Sequence, residues 1–214
     1  MDYMKITKLG HCCMLIEENG VRILTDPGAW TTTQLDVRNL DIILITHEHA
    51  DHFHLDSLKK ILEHNTNAIV VTNKSTGALL DKEGISYQGV DDGTMEIIQG
   101  IAISGHGTKH AVIYPALPNM ENTGFFIANK FFFPGDSFVM PPLPVDILAL
   151  PIAGPWMKLS EAIDYLKEVN PRISFPVHDG MIQPVDWLHA SIEHISKSLG
   201  LNFQAVKVGE ENEW

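Results

Sequence analysis

Short apolar runs separated by turn residues set the pattern of the first half of this chain. Tyr3–Leu9 and Cys12–Glu17 are β-prone, and Asn19-Gly20 is a strong hairpin signal with Val21–Leu24 returning after it. Asp41–Thr46 (DIILIT) is a continuous apolar run, the signature of a strand covered on both faces. The period then changes. Leu55, Leu58, Ile61 and Leu62 recur at helical spacing across Leu55–His64, a strand is expected at Ala68–Thr72, and a helix at about Ser75–Lys82 stops before Gly84.

Further strands are expected near Ile85–Val90, Thr94–Ile98 and Ile101–Ser104, with Thr123–Ala128 and Lys130–Phe133 pairing across Asn129. Val145–Leu150 reads as a buried strand, Ser160–Val169 as a helix opening with Ser160, and Arg172–Pro176 as a strand. A last helix over about Pro184–Leu199 precedes a closing strand at Phe203–Val208. No repeat or linker interrupts the 214 residues, and Pro141-Pro142-Leu143-Pro144 is a rigid loop rather than a domain joint. The pattern predicts one α/β domain over residues 1–214, with two sheets covered by helices.

Composition narrows the function. Fifteen basic against 27 acidic residues give a net charge of −12 with no Lys/Arg cluster, which argues against general nucleic-acid binding. No apolar run reaches the ~20 residues of a membrane span. The start, Met1 to Lys5, lacks the features of a signal peptide, and adjacent Cys12 and Cys13 are poor disulfide partners, so a reduced, cytoplasmic protein is expected.

Candidate chemistry concentrates in Thr46-His47-Glu48-His49-Ala50-Asp51-His52, directly after the DIILI strand. In extended backbone His47, His49 and Asp51 point to one side, and His52 begins the next turn. Four candidate ligands within six residues at a strand exit suit one or two metal ions.

This H-x-H-x-D-H motif resembles the signature of the metallo-β-lactamase superfamily. The opening Leu9-Gly10-His11-Cys12 and the Asp26-Pro27 pair further resemble a branch of small bacterial hydrolases that includes ascorbate-6-phosphate lactonase-like proteins. The resemblance spans about residues 1 to 205 and implies an αββα sandwich of two mixed β-sheets flanked by helices. It also implies three more ligands: His110, Asp136 in Pro134-Gly135-Asp136, and His178 in Pro176-Val177-His178-Asp179. His47, His49 and His110 would then hold one divalent ion, Asp51, His52 and His178 a second, with Asp136 bridging. Asp51 and His52 are also the candidate catalytic residues. Zn²⁺ suits this donor set best, with Mn²⁺, Fe or Ni²⁺ as other occupants.

His106 competes with His110 for the third histidine position. The resemblance places the ligand further past the strand, at His110, and leaves His106 between Gly105 and Gly107. The implied activity is that of a dinuclear metal-dependent hydrolase using a metal-bridging hydroxide on a small ester, lactone, amide or phosphoester. The alternatives are a metal-bound, non-catalytic regulatory or binding module and a phosphodiesterase or nuclease of the same superfamily. A diiron reductase would carry Glu in place of His49. The expected partner is a small molecule, with no nucleic acid or membrane, and a homo-oligomer is possible on this pattern.

Other residues receive narrower readings. Asp26 is expected to orient a ligand histidine, and His11 to pack beside the site or touch substrate. Cys12 and Cys13 read as core residues, and His54, His64, His189 and His194 as solvated. Trp30, Met140, Trp156, Met157 and Lys158 fall in loops after strands, where a pocket is expected; Lys158 or His106 is placed to meet an anion.

Overall fold

A computed structural model describes residues 3–214; Met1 and Asp2, which begin the start read above, lie outside the described residues. The first sheet runs in the order β13(Glu211–Glu213), β1(Lys5–Gly10), β2(Cys13–Glu18), β3(Val21–Thr25), β4(Ile42–Ile45), β5(Ile69–Thr72) and β6(Tyr87–Gly89). The second runs β12(Ile173–Val177), β11(Ile147–Pro151), β10(Phe131–Phe133), β9(Gly124–Ile127), β8(Ile101–His106) and β7(Met95–Ile98). Both are mixed. Strands β3 to β6 run parallel, as do β10 to β12, and the remaining neighbours pair antiparallel.

The sheets face one another across a core that includes Ile16, Ile42, Leu44, Phe125, Phe131 and Phe175. Helices α1(Leu55–His64) and α2(Lys74–Lys82) cover the outer face of the first sheet over Ile43, Ile45, Leu58 and Leu80. Helices α3(Leu159–Val169) and α4(Val185–Ser198) cover the second over Leu148, Leu150, Leu166 and Ile192. The architecture is therefore an αββα sandwich. All four residues of β4 are buried, as its apolar run requires of a strand packed on both faces.

Local chemistry explains most boundaries. Glu18 pairs with Val21 across Asn19-Gly20, and both turn residues take the positive φ of a tight hairpin. Asn73 accepts from the Thr76 N–H, which opens α2 one residue earlier than Ser75. Likewise α3 opens at Leu159, not Ser160, because Glu161 reaches back to the Lys158 N–H.

The tail departs from expectation. Phe203–Val208 is not a strand, and Phe203 alone bridges to Ser174. The chain instead adds the polar strand Glu211–Glu213 beside β1, where Lys5 pairs with Glu211 and Glu213. No helix among the described residues is long and apolar enough to cross a membrane.

Candidate metal centre

The site collects at the carboxyl ends of the parallel strands, where loops leave both sheets together. Asp26 follows β3, His47 follows β4, Asp136 follows β10 and His178 follows β12. The segment after β4 is not extended throughout. It turns over His49–His52, closed by the His52 N–H on the His49 carbonyl at 2.9 Å. That turn separates Asp51 from His47 and His49 instead of leaving all three on one side. Gly28 makes the close approach possible, since a Cβ there would meet the Asp51 carbonyl at 1.8 Å.

Among the described residues, two groups made of histidine and aspartate donor atoms result, each within 4.8 Å. His47, His49, His110 and Asp136 form one, while Asp51, His52, His178 and His11 form the other. Asp136 touches both: its Oδ2 lies 3.2 Å from His110 Nε2 and 2.9 Å from His178 Nε2, and its Oδ1 lies 3.1 Å from His52 Nε2. His52 Nε2, His178 Nε2 and Asp136 Oδ1 are buried without a hydrogen-bond partner despite these separations. Orphaned lone pairs that converge in this way fit a shared cation better than they fit one another.

The backs of the rings are held. The Thr46 hydroxyl donates to Asp26 Oδ2 at 2.8 Å and so accepts from His47 Nδ1 at 2.9 Å. His52 Nδ1 donates to Asp26 Oδ2 at 2.6 Å, and His110 Nδ1 to the Ala111 carbonyl at 2.5 Å. Each bond leaves Nε2 facing the cluster. His11 is fixed in the opposite sense. The Gly180 N–H donates to its Nδ1 at 3.2 Å, so Nε2 carries the proton and donates to Asp51 Oδ2 at 3.1 Å. His11 therefore orients Asp51 and does not offer a lone pair. Asp26, His11 and His178 hold positive φ angles of 37°, 49° and 59°, conformations that non-glycine residues adopt at a cost.

Charge follows the same plan. Burial lowers the His47 ring well below the histidine range, and neighbouring His52 adds to the effect. Burial also lowers His52, but Asp136 and Asp26 on its two sides outweigh it, so that position favours a positive charge. Burial raises Asp136, yet His52, His110 and His178 hold it well below the carboxylate range. Asp51 falls to about 2: burial opposes the shift, but the His11 hydrogen bond and the surrounding imidazoles prevail.

Several expectations need correction. Strand β8 continues through His106, whose Nε2 bonds the Ser104 hydroxyl at 2.8 Å, away from both donor groups. Trp156 is buried and donates to Asp136 Oδ2 at 3.0 Å, beside the donor atoms. His189 is not solvated but buried on Asp179 at 2.8 Å, and His54 is half-buried against the Ser57 hydroxyl. Asp179 also accepts two bonds from buried Lys8, at 2.6 and 2.7 Å, a network with no local sequence signal. Trp30 packs against His11 with ring centres 4.6 Å apart and planes tilted by 49°. Cys12 lies within reach of His52 and Asp136, but burial drives its thiol far up and keeps it neutral.

Residues 5–178 match the Beta-lactamase superfamily domain. The chain belongs to the β-lactamase superfamily. Within it, the chain is 36% identical to the Mycobacterium tuberculosis protein Rv0786c over 85% of its own length and 86% of that protein's. It is 28% identical to a UPF0173 metal-dependent hydrolase of Methanobrevibacter smithii, covering 86% and 84% of the two chains. A solved metallo hydrolase from the archaeon Ignicoccus hospitalis shares the fold, with a TM-score of 0.79 at 21% identity over 99% of this superfamily member and 98% of that chain.

Proposed function

We propose that this protein is a metal-dependent hydrolase that holds two divalent cations, zinc by preference, and cleaves a small ester, lactone, amide or phosphoester. The convergence of seven side chains into two donor groups joined by Asp136 supports this reading. His47, His49 and His110 would hold one cation and Asp51, His52 and His178 the other. The nitrogen-rich donor set suits Zn²⁺, and Mn²⁺, Fe and Ni²⁺ accept similar ligands. Cations bound there supply Lewis acidity and lower the pKa of a water molecule.

The chain's own groups do the positioning. Asp26, Thr46 and the Ala111 carbonyl fix the tautomers of His52, His47 and His110, and His11 fixes Asp51. Asp51 is partly exposed where Asp136 and Asp26 are sealed, so the site reaches solvent beside it. The test is elemental analysis of protein purified without chelator. Two equivalents are expected, with chelation abolishing ester turnover and added zinc restoring it. Full activity with one equivalent would overturn the dinuclear reading, and active metal-free protein would overturn the whole.

A further inference from the structure

The connection from β8 to β9 is unusual for an exposed loop. Its middle, Ala111–Met120 (AVIYPALPNM), is mostly apolar, and Val112, Ile113, Tyr114 and Leu117 are 58%, 40%, 63% and 56% exposed. The neck is tied: the His110 N–H donates to the Met120 carbonyl at 2.9 Å and the Ala111 N–H to the Asp136 carbonyl at 2.8 Å. A compact loop with closed ends has the form often used for function. It is not an arbitrary excursion.

The loop walls a cavity of about 520 Å³, within the usual range for small-molecule sites. Two donor residues of the candidate metal centre, His49 and His110, close one end with ring centres 4.7 Å apart. No Lys, Arg, Asp or Glu is among the described residues lining it. Among the described lining residues, the polar side-chain groups beyond the two histidines are the Asn119 amide and the Tyr114 hydroxyl. A phosphate or carboxylate far from the reacting end would find no cation here, in a chain of net charge −12.

We propose that residues 111–120 form the wall that binds the non-reacting part of the substrate, and that this part is an uncharged alkyl or aryl group. The preferred substrate class is then a neutral ester or lactone with an apolar acyl chain, in preference to a phosphoester. The inference rests on the hydrolase reading for the reacting end, at His49 and His110. Hydrolysis adds one water: its oxygen bonds the acyl carbon, the acyl C–O bond breaks, and a proton goes to the departing alkoxide.

The experiment has two arms. Zinc-loaded protein is assayed on p-nitrophenyl acetate, butyrate, hexanoate and octanoate, and on bis-p-nitrophenyl phosphate. Metal-free, ¹⁵N-labelled protein is titrated with butanamide and hexanamide while loop amide resonances are followed. Each methylene buried against the wall should raise kcat/KM and affinity roughly two- to fourfold, with shifts centred on Val112–Met120. The double variant Ile113→Ser/Leu117→Ser should flatten both series while leaving zinc content and the melting temperature unchanged.

A flat ester series with shifts elsewhere overturns the pocket while leaving the hydrolase reading standing, as does preference for the phosphodiester. Amide binding at the loop without turnover of any ester overturns the hydrolase reading, and with it the substrate class, while keeping the apolar wall. A dimer that sedimentation shows to dissociate in the double variant, with no amide binding in the wild type, assigns the loop to self-association and overturns the proposal.

Discussion

Asp26 and Asp179 are both buried carboxylates beside strand-end histidines, but their charges are balanced in different ways. Asp179 accepts from the Lys8 ammonium at 2.6 and 2.7 Å and from His189 at 2.8 Å. Burial pushes its carboxyl up, and His189 and Lys8 more than reverse the shift. Asp26 has no Lys or Arg partner in its hydrogen bonds. It accepts from His52 at 2.6 Å and from the Thr46 N–H and hydroxyl, both at 2.8 Å. Burial leaves its carboxyl raised even so. Asp179 completes a structural ion pair with Lys8. Asp26 carries a desolvation cost that His52 and Thr46 offset only in part, and those bonds serve the orientation of His52 and His47. A carboxylate left raised by burial marks a site residue, and a satisfied pair marks a fold residue.

The sharpest way to break this contrast is Lys8→Met. It should leave Asp179 buried with one partner and cost about 3–5 kcal/mol of unfolding free energy, the usual penalty for stranding one member of a buried pair. Urea denaturation of the metal-free chain measures it. Zinc affinity of the folded variant should stay close to that of the wild type. A loss below about 1 kcal/mol would mean that the pair does not hold β1 to the β12 end.

Asp26→Asn should act in the opposite compartment. Removing a carboxylate that orients a ligand imidazole typically weakens metal binding by about 10–100-fold. Metal-free stability should be unchanged or higher, because the buried charge is gone. Competition with a chromogenic chelator reads the affinity. If metal-free stability falls as far as in Lys8→Met, Asp26 is a fold residue and the contrast collapses.

How far the sequence carries this distinction depends on where partners lie along the chain. The bounds of α1 are legible because Leu55, Leu58, Ile61 and Leu62 repeat on one face, and β4 because every residue is apolar. His47 to His52 stand together, so their chemistry is local information. The Lys8–Asp179–His189 network joins three elements far apart in sequence, so no single stretch displays it. Strand β13 is polar and is set by cross-strand charge with Lys5, which no hydropathy pattern displays. The apolar loop 111–120 contains no ligand-type residue, so a search for chemistry passes over it, while its exposure appears only once the chain is folded.

Acid distinguishes the two aspartates further. A folded-state pKa below the unfolded value means that Asp179 contributes stability that is fully present above the unfolded pKa, about 4, and is lost as pH falls through the lower folded value. Metal-free wild type should therefore lose stability more steeply below about pH 4 than Asp179→Asn does. Equal slopes would mean that the Asp179 carboxyl titrates alike folded and unfolded.

The smallest effect expected is that of His189→Gln. His189 contributes one hydrogen bond to Asp179 Oδ2, while Lys8 reaches both carboxylate oxygens and also donates to the Pro176 carbonyl at 2.9 Å. The carboxylate thus keeps its cation when the imidazole is removed, and a glutamine amide can still donate from α4. Hydrogen bonds to charged groups contribute about 1.5–3 kcal/mol when lost outright, so partial replacement should cost about 1 kcal/mol in urea unfolding. Zinc content should not change, since Asp179 keeps both of its Lys8 bonds. A cost matching that of Lys8→Met would make His189 an equal member of the pair, and the charge on Asp179 would then be held by the ring as much as by the ammonium.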